Sequence, residues 1–245
     1  MPAAVHTVAV DLEHSKVSLR IDPTRHASAE HNIYTAFYAW IGRLGVWPFP
    51  VKDWSRLSPS RPLVLLNPSQ PFTEKQRTAI GTFVRSGGTL LVLDDAAQLL
   101  DTTAPEVLRQ FGIQYHVSQE PEPLYRPEVG IETWLDAGLA LAPLALALEA
   151  EIQTILPDAV PRAMVTTPRL SIEGGTPLAV TGGGSVLWAS KSFGQGRILV
   201  FTGSHTFNQL SFGDIWGGTE PGAQRKKLYQ TEYELFRELW ANGEK

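Results

Sequence analysis

No cysteine occurs anywhere in the 245 residues. That excludes thiolate catalysis, disulfide staples and thiolate metal sites together. Positive charge is also not in excess. Twenty-one Lys and Arg stand against 25 Asp and Glu, a formal net charge of −4. Phosphate affinity needs a clustered basic surface, so nucleic acid is not an expected partner. The basic run Arg225-Lys226-Lys227 reads as the solvated start of a helix. Long apolar runs are missing too. The longest, Leu139 to Leu148, has ten residues and contains Pro143, whereas a membrane span needs about 20. The opening "MPAAVHTVAVDLEHSK" lacks the basic start and continuous apolar stretch of a signal peptide. A cytoplasmic chain with no membrane span is therefore expected.

What is present is enough for a core: 43% of the residues are hydrophobic and 19% charged. Val8, Val10 and Leu12 alternate, as do Val17, Leu19 and Ile21, so a strand pair is expected over 5–21. Ile33, Phe37, Trp40, Ile41 and Leu44 share a helical face, and Gly45 is placed to end that helix in a left-handed cap. "RPLVLLNP" (61–68) reads as a strand buried on both faces. In "FTEKQRTAIGTFVRSGG", Thr73 and Gln76 form a capping box, and Ala79, Ile80, Phe83 and Val84 form an inner stripe. "TLLVLDD" follows as a second buried strand. Strand, helix and strand within about 30 residues have the length of a right-handed parallel unit. A helix from Pro105 to Phe111, capped by Gly112, and a strand "IQYHV" are expected next. The proline-rich stretch "QEPEPLYRPE" (119–128) reads as a loop, and Pro143 breaks any single long helix beyond it. Strands joined by glycine turns then predict an antiparallel extension over about 163–203, with "FGQGR" as a hairpin of three-residue-loop type. Leu228, Tyr229, Leu235, Phe236, Leu239 and Trp240 give the apolar side of a closing helix over about 225–241. The chain reads as one α/β domain, 1–245.

The segments "LVLLNPSQPFTEKQRTAIGTFVRSGGTLLVLDD", "FGI" and "PLAV…SKSFGQGRILVFTGSHTFNQ" resemble the DUF4350 group of glutamine-amidotransferase-like domains. They are similar also to the GIFT-type domain of intraflagellar transport and to gliding-motility ABC-transporter auxiliary domains. The resemblance covers roughly residues 16 to 212. It implies a flavodoxin-like, class I amidotransferase-like sheet with helices on both faces, and a non-catalytic binding or scaffold role. Class I amidotransferases carry a nucleophilic cysteine on the sharp turn after a central strand. None exists here, so that activity is not expected.

Ligands of doubly wound sheets gather outside the carboxyl ends of the strands. Two such ends carry polar groups: Asp94-Asp95 and "TGSH", Thr202 to His205. Ser204, His205 and one aspartate have the chemistry of a nucleophilic triad, which makes a hydrolase the alternative. No Gly-x-Ser-x-Gly elbow supports it, and Ser204 and Asp94 read equally as caps of following helices. Asp22, His26 and His31 are metal-ligating types in no compact metal spacing, and Ser28 reads as the N-cap of the next helix. "TGGGS" (181–185) lacks the Lys and helix of a phosphate loop and reads as a hairpin turn. Trp47, Trp54, Trp134 and Trp216 fall in expected loops, where indoles anchor a protein partner or stack on a sugar. The candidate ligand-binding residues are accordingly Asp94, Asp95, Trp47 and Trp216, and a protein, small-molecule or sugar partner is expected. No cofactor is called for.

Overall fold

The computed structural model describes residues 6–15, 17, 34–94, 102–118, 140–141, 169–180, 186–207, 236 and 239. Ten strands fall within them. In chain order they are β1 (His6–Asp11), β2 (Val46–Pro50), β3 (Leu63–Leu66), β4 (Thr89–Leu93), β5 (Gln114–Ser118), β6 (Ala140–Leu141), β7 (Arg169–Glu173), β8 (Thr176–Val180), β9 (Val186–Phe193) and β10 (Gly196–Phe201). Three helices, α1 (Thr35–Arg43), α2 (Glu74–Arg85) and α3 (Ala104–Leu108), lie between them.

Eight strands form one sheet in the order β2-β1-β3-β4-β10-β9-β8-β6. The first five run parallel, and β9, β8 and β6 continue antiparallel. Because side chains alternate along a strand, each buried strand feeds two cores. Val8, Val10, Val64, Leu66, Leu91, Leu93, Leu199 and Phe201 meet Phe37 and Ile41 of α1, with Phe236 and Leu239, on one face. Leu63, Leu65, Leu90, Val92, Ile198 and Val200 meet Ile80, Phe83 and Val84 of α2 and Val107 and Leu108 of α3 on the other. This explains why "LVLL" and "LLVL" are apolar at every position: neither face is free.

The β3–α2–β4 unit is parallel, with Leu63 opposite Leu90. Its helix starts at the expected capping box, in which Gln76 N–H donates to Thr73 Oγ1 at 3.2 Å and Thr73 N–H to Gln76 Oε1 at 2.8 Å. Gly45 and Gly112 sit at φ +79° and +66°, as the cap reading requires.

The structure also corrects several expectations. Trp47 lies on an edge strand, not in a loop. "VWPFP" admits two prolines because Val51 N–H donates to Val10 C=O. Alternation then turns the donor-less nitrogens of Pro48 and Pro50 away from β1. Trp54 opens a single 3₁₀ turn, Trp54–Arg56. Of the strand pair expected over 5–21, β1 is flanked on both sides by the parallel strands β2 and β3 and so does not pair with the second segment; residues 5, 16 and 18–21 lie outside the described residues. "IQYHV" yields β5, which leaves the main sheet to pair with β7. The "FGQGR" hairpin has two loop residues, since Phe193 pairs with Gly196. Gly194 at φ +61° is the first of them, where a type II′ turn needs glycine. Of the closing helix only Phe236 and Leu239 are described, both buried on the α1 side. The rest of 225–241 lies outside the described residues.

Candidate functional site

The order β2-β1-β3-β4 reverses direction between β1 and β3. That is the topological switch point of a flavodoxin-like sheet, where ligands bind at the carboxyl ends of the strands. Four strands present polar residues there: Asp11 closes β1, Asn67 follows β3, Asp94 follows β4, and Thr202 to Ser204 follow β10. Asp11, Asn67, Asp94, Thr202 and Ser204 are all buried. They divide between the two faces of the sheet.

On the α1 face, Ser204 Oγ donates to Asn67 Oδ1 at 2.5 Å, and Asn67 Nδ2 donates to Tyr34 Oη at 2.9 Å. Asn67 has φ +44°, the only described non-glycine residue with a positive value. Asn tolerates that region better than most residues. Its backbone N–H reaches Leu93 C=O at 2.7 Å, so the sharp turn after β3 is tied to β4.

On the α2 face, the Asp11 carboxylate accepts from the N–H groups of Glu13 and His14 at 3.1 and 3.3 Å. The same carboxylate faces His14 Nδ1 at 3.0 Å. Burial raises the pKa of Asp11, and the contacts with His14 oppose that rise. The His14 ring stacks on Phe72, with centroids 3.9 Å apart, and meets the edge of Trp54 at 5.4 Å. The Trp54 indole N–H donates to Glu13 Oε2 at 3.2 Å. Backbone bonds from Ser69 and Gln70 to His14 C=O seat this loop on the β3–α2 connection.

Farther along the same face, Asp94 Oδ2 accepts from Thr102 Oγ1 at 2.6 Å, and Thr102 Oγ1 accepts from the Ala104 N–H that opens α3. The Tyr115 hydroxyl is buried without a well-formed hydrogen bond. Burial, then the charge and hydrogen-bonding pull of nearby Asp94, pushes its pKa well up.

The backbones of β4 and β10 bring Asp94 and Ser204 together, Ser204 N–H donating to Asp94 C=O at 2.9 Å. Their side chains do not meet: Asp94 bonds Thr102 over the α2 side, and Ser204 bonds Asn67 over the α1 side. The backbone of His205 lies in the 3₁₀ turn Ser204–Phe207; its side chain lies outside what is described. So do Asp95, Asp22, His26, Ser28, His31, Trp134, Trp216 and the 181–185 turn. Trp47 is 60% exposed on β2. Among the described residues no three His, Asp or Glu side chains gather as a metal site. No described helix is long and apolar enough to cross a membrane.

Residues 27–209 match the family described as "Domain of unknown function (DUF4350)". The chain belongs to the DUF4350 family. No curated protein matches the sequence. Among solved structures, this DUF4350 chain is similar to the mmIFT52 N-terminal domain, with a TM-score of 0.54 at 16% identity over 96% of this chain and 98% of that one. It is similar also to the exo-β-1,4-mannosidase Op5Man5 from Opitutaceae bacterium strain TAV5, with a TM-score of 0.52 at 14% identity, covering 95% of this chain and 36% of that one. At such identities the likeness concerns the fold, which is the class I amidotransferase-like one without its cysteine.

Sequence reasoning passed over Asp11, His14, Tyr34 and Asn67. One signal was available. An Asp ending an apolar strand, with a residue three positions on, is the pattern of a side chain that accepts its own downstream N–H groups.

Proposed function

We propose that this DUF4350 domain is a non-catalytic binding or scaffold module, receiving a protein, small-molecule or sugar partner at the carboxyl edge of its sheet. One observation carries the reading. Ser204, the hydroxyl best placed in sequence for attack, is fully buried and donates at 2.5 Å to Asn67 Oδ1. A nucleophile needs its proton directed at a base and its oxygen open to substrate. Ser204 has neither in this arrangement. The turn after the central strand β3 carries Asn67, whose amide is no nucleophile and is engaged at both ends. The likeness to gliding-motility auxiliary domains supports a further step, a role auxiliary to a membrane transport system. Trp47, at 60% exposure, supports a sugar or protein contact at the β2 edge as a second reading.

The test is turnover. Purified protein is assayed on p-nitrophenyl esters, anilides and glutamine, beside Ser204→Ala and His205→Ala. No hydrolysis above buffer is expected. Wild-type turnover that disappears in either variant, with circular dichroism unchanged, refutes the non-catalytic reading in favour of a hydrolase.

A further inference from the structure

The Asp11–His14 pair is half of a familiar arrangement. A carboxylate on Nδ1 fixes the imidazole tautomer and turns Nε2 outward as the functional nitrogen. Here the His14 side chain is 4% exposed and Asp11 1%. Nδ1 faces Asp11, and the ring is clamped by Phe72 and Trp54. Nε2 has no hydrogen-bond partner among the described residues, although His14 is otherwise enclosed. Nε2 is not one of the sealed, unpaired side-chain atoms among the described residues, so this edge of the ring opens outward and a group from outside the protein can meet it. No described hydroxyl bonds to Nε2: Ser15 Oγ donates to Leu66 C=O and Ser69 Oγ to His14 C=O. His14 therefore has no described nucleophile to activate, and its open nitrogen is available to a ligand.

We propose that His14 Nε2 accepts a hydrogen bond from a hydroxyl of a neutral polyhydroxylated ligand that lies against the half-buried ring of Trp54. This rests on the binding-module reading and names its site and ligand class. Three arguments select the class. With Nδ1–H directed at Asp11, Nε2 presents a lone pair, so the ligand must bring a donor. An anion would face both Asp11 and Glu13, and no described cation contacts His14 to offset them. A metal ion takes three or more protein donors in its usual sites, and no such group is present among the described residues. A neutral hydroxyl satisfies Nε2 without carrying charge into a buried place. Glu13, held by Trp54 Nε1 and within 3.5 Å of Gln76 Nε2, adds an acceptor at the rim for a second hydroxyl.

The experiment is carbethoxylation with diethyl pyrocarbonate, read by tandem mass spectrometry. Exposed His6 on the same peptide serves as internal reference. Wild-type His14 should be modified at Nε2. D-glucose, D-mannose, D-galactose or myo-inositol, at least one of them, should slow that modification, while inorganic phosphate and Zn²⁺ should not. Calorimetry with the protecting polyol should show affinity falling roughly five- to tenfold in His14→Phe, the loss of one neutral hydrogen bond. A fall is expected in Trp54→Ala as well. If His14→Phe does not fold, wild-type protection and Trp54→Ala decide. Failure of His14 to react while His6 does, protection by zinc or phosphate alone, or no protection by any polyol overturns the proposal. Polyol binding that both variants leave unchanged also overturns it, while leaving the binding-module reading intact.

Discussion

Replacing Gly88 by alanine should destabilise the protein through one neighbour, the ring of Phe83. Gly88 lies between α2 and β4 and is buried. Its N–H donates to Phe83 C=O at 3.0 Å, and its C=O accepts from Arg197 N–H at 3.2 Å. Its φ is not positive, unlike that of Gly87 at +105°, so alanine costs nothing in backbone strain. A Cβ there would stand 2.4 to 2.6 Å from Phe83 Cζ, Cε2 and Cε1. The backbone is fixed by two hydrogen bonds, and the ring is 3% exposed in a packed core. Neither can give cheaply. Overpacking of this kind costs about 1–3 kcal/mol. Phe83→Ala alone should cost about 3–5 kcal/mol, the usual range for truncating a core aromatic. If the two changes were independent, the double variant would lose roughly 4–8 kcal/mol, the simple sum of those ranges. It should lose less. With the ring gone the methyl no longer clashes and fills part of the vacated space. A coupling of about 1–2 kcal/mol, opposite in sign to the losses, is expected between touching residues. Urea denaturation of the four proteins measures it, provided the slopes agree. Additivity within about 0.5 kcal/mol would show that something other than Phe83 forbids a side chain at Gly88.

Three other outcomes can be measured. Burial raises the Asp11 pKa above 3.8, so its contribution to stability is fully present below that value and is lost as pH rises through the folded-state value. Wild type should therefore gain stability relative to Asp11→Asn on acidification toward pH 4, and a gain in the opposite direction in paired urea melts rejects the assignment. Asn67→Ala and Asn67→Gly both remove the bonds to Ser204 and Tyr34, but only alanine resists φ +44°; the glycine variant should be the more stable by about 1 kcal/mol, and equal melts would count against strain. Thr73→Ala should cost about 1 kcal/mol as the loss of an N-cap. Adding Gln76→Ala should cost less than Gln76→Ala does in wild type, because the two bonds are reciprocal.

The β3–α2–β4 unit was legible because burial on both faces forces a continuous apolar run and because a capping box is a local pattern. Strand β2 was not. In "VWPFP" two prolines read as a loop, and only the edge position, with their nitrogens turned outward, reconciles them with a strand. β5 was legible as a strand but its pairing with β7 outside the main sheet was not, since period-two alternation names a strand and not its partner. The candidate site was half legible. The strand ends carrying Asp94 and Ser204 are adjacent, as the parallel reading implied, yet sequence adjacency says nothing of which face each side chain takes. Their separation depends on the partners Thr102 and Asn67, which lie 8 and 137 positions away. The Asp11–His14 pair was legible in principle, being three residues apart, but it gains meaning only when β1 is known to flank the switch point.

Local rules are broken at the carboxyl ends of β1 and β3. Asn67 holds a conformation L-residues avoid, and Asp11 is an acid buried against its preference. Such departures persist only where the surroundings over-determine them. The two faces do so differently. On the α1 side, Tyr34, Asn67 and Ser204 form a closed chain that joins the start of α1, the end of β3 and the end of β10, and Asn67 at its centre is committed at both ends of its amide. That closure holds the strand ends in register and leaves little there for a ligand. On the α2 side the corresponding chain runs from Asp11 to His14 and stops at Nε2. A network satisfied on one side and open by one atom on the other makes the α2 side the place to look for a ligand.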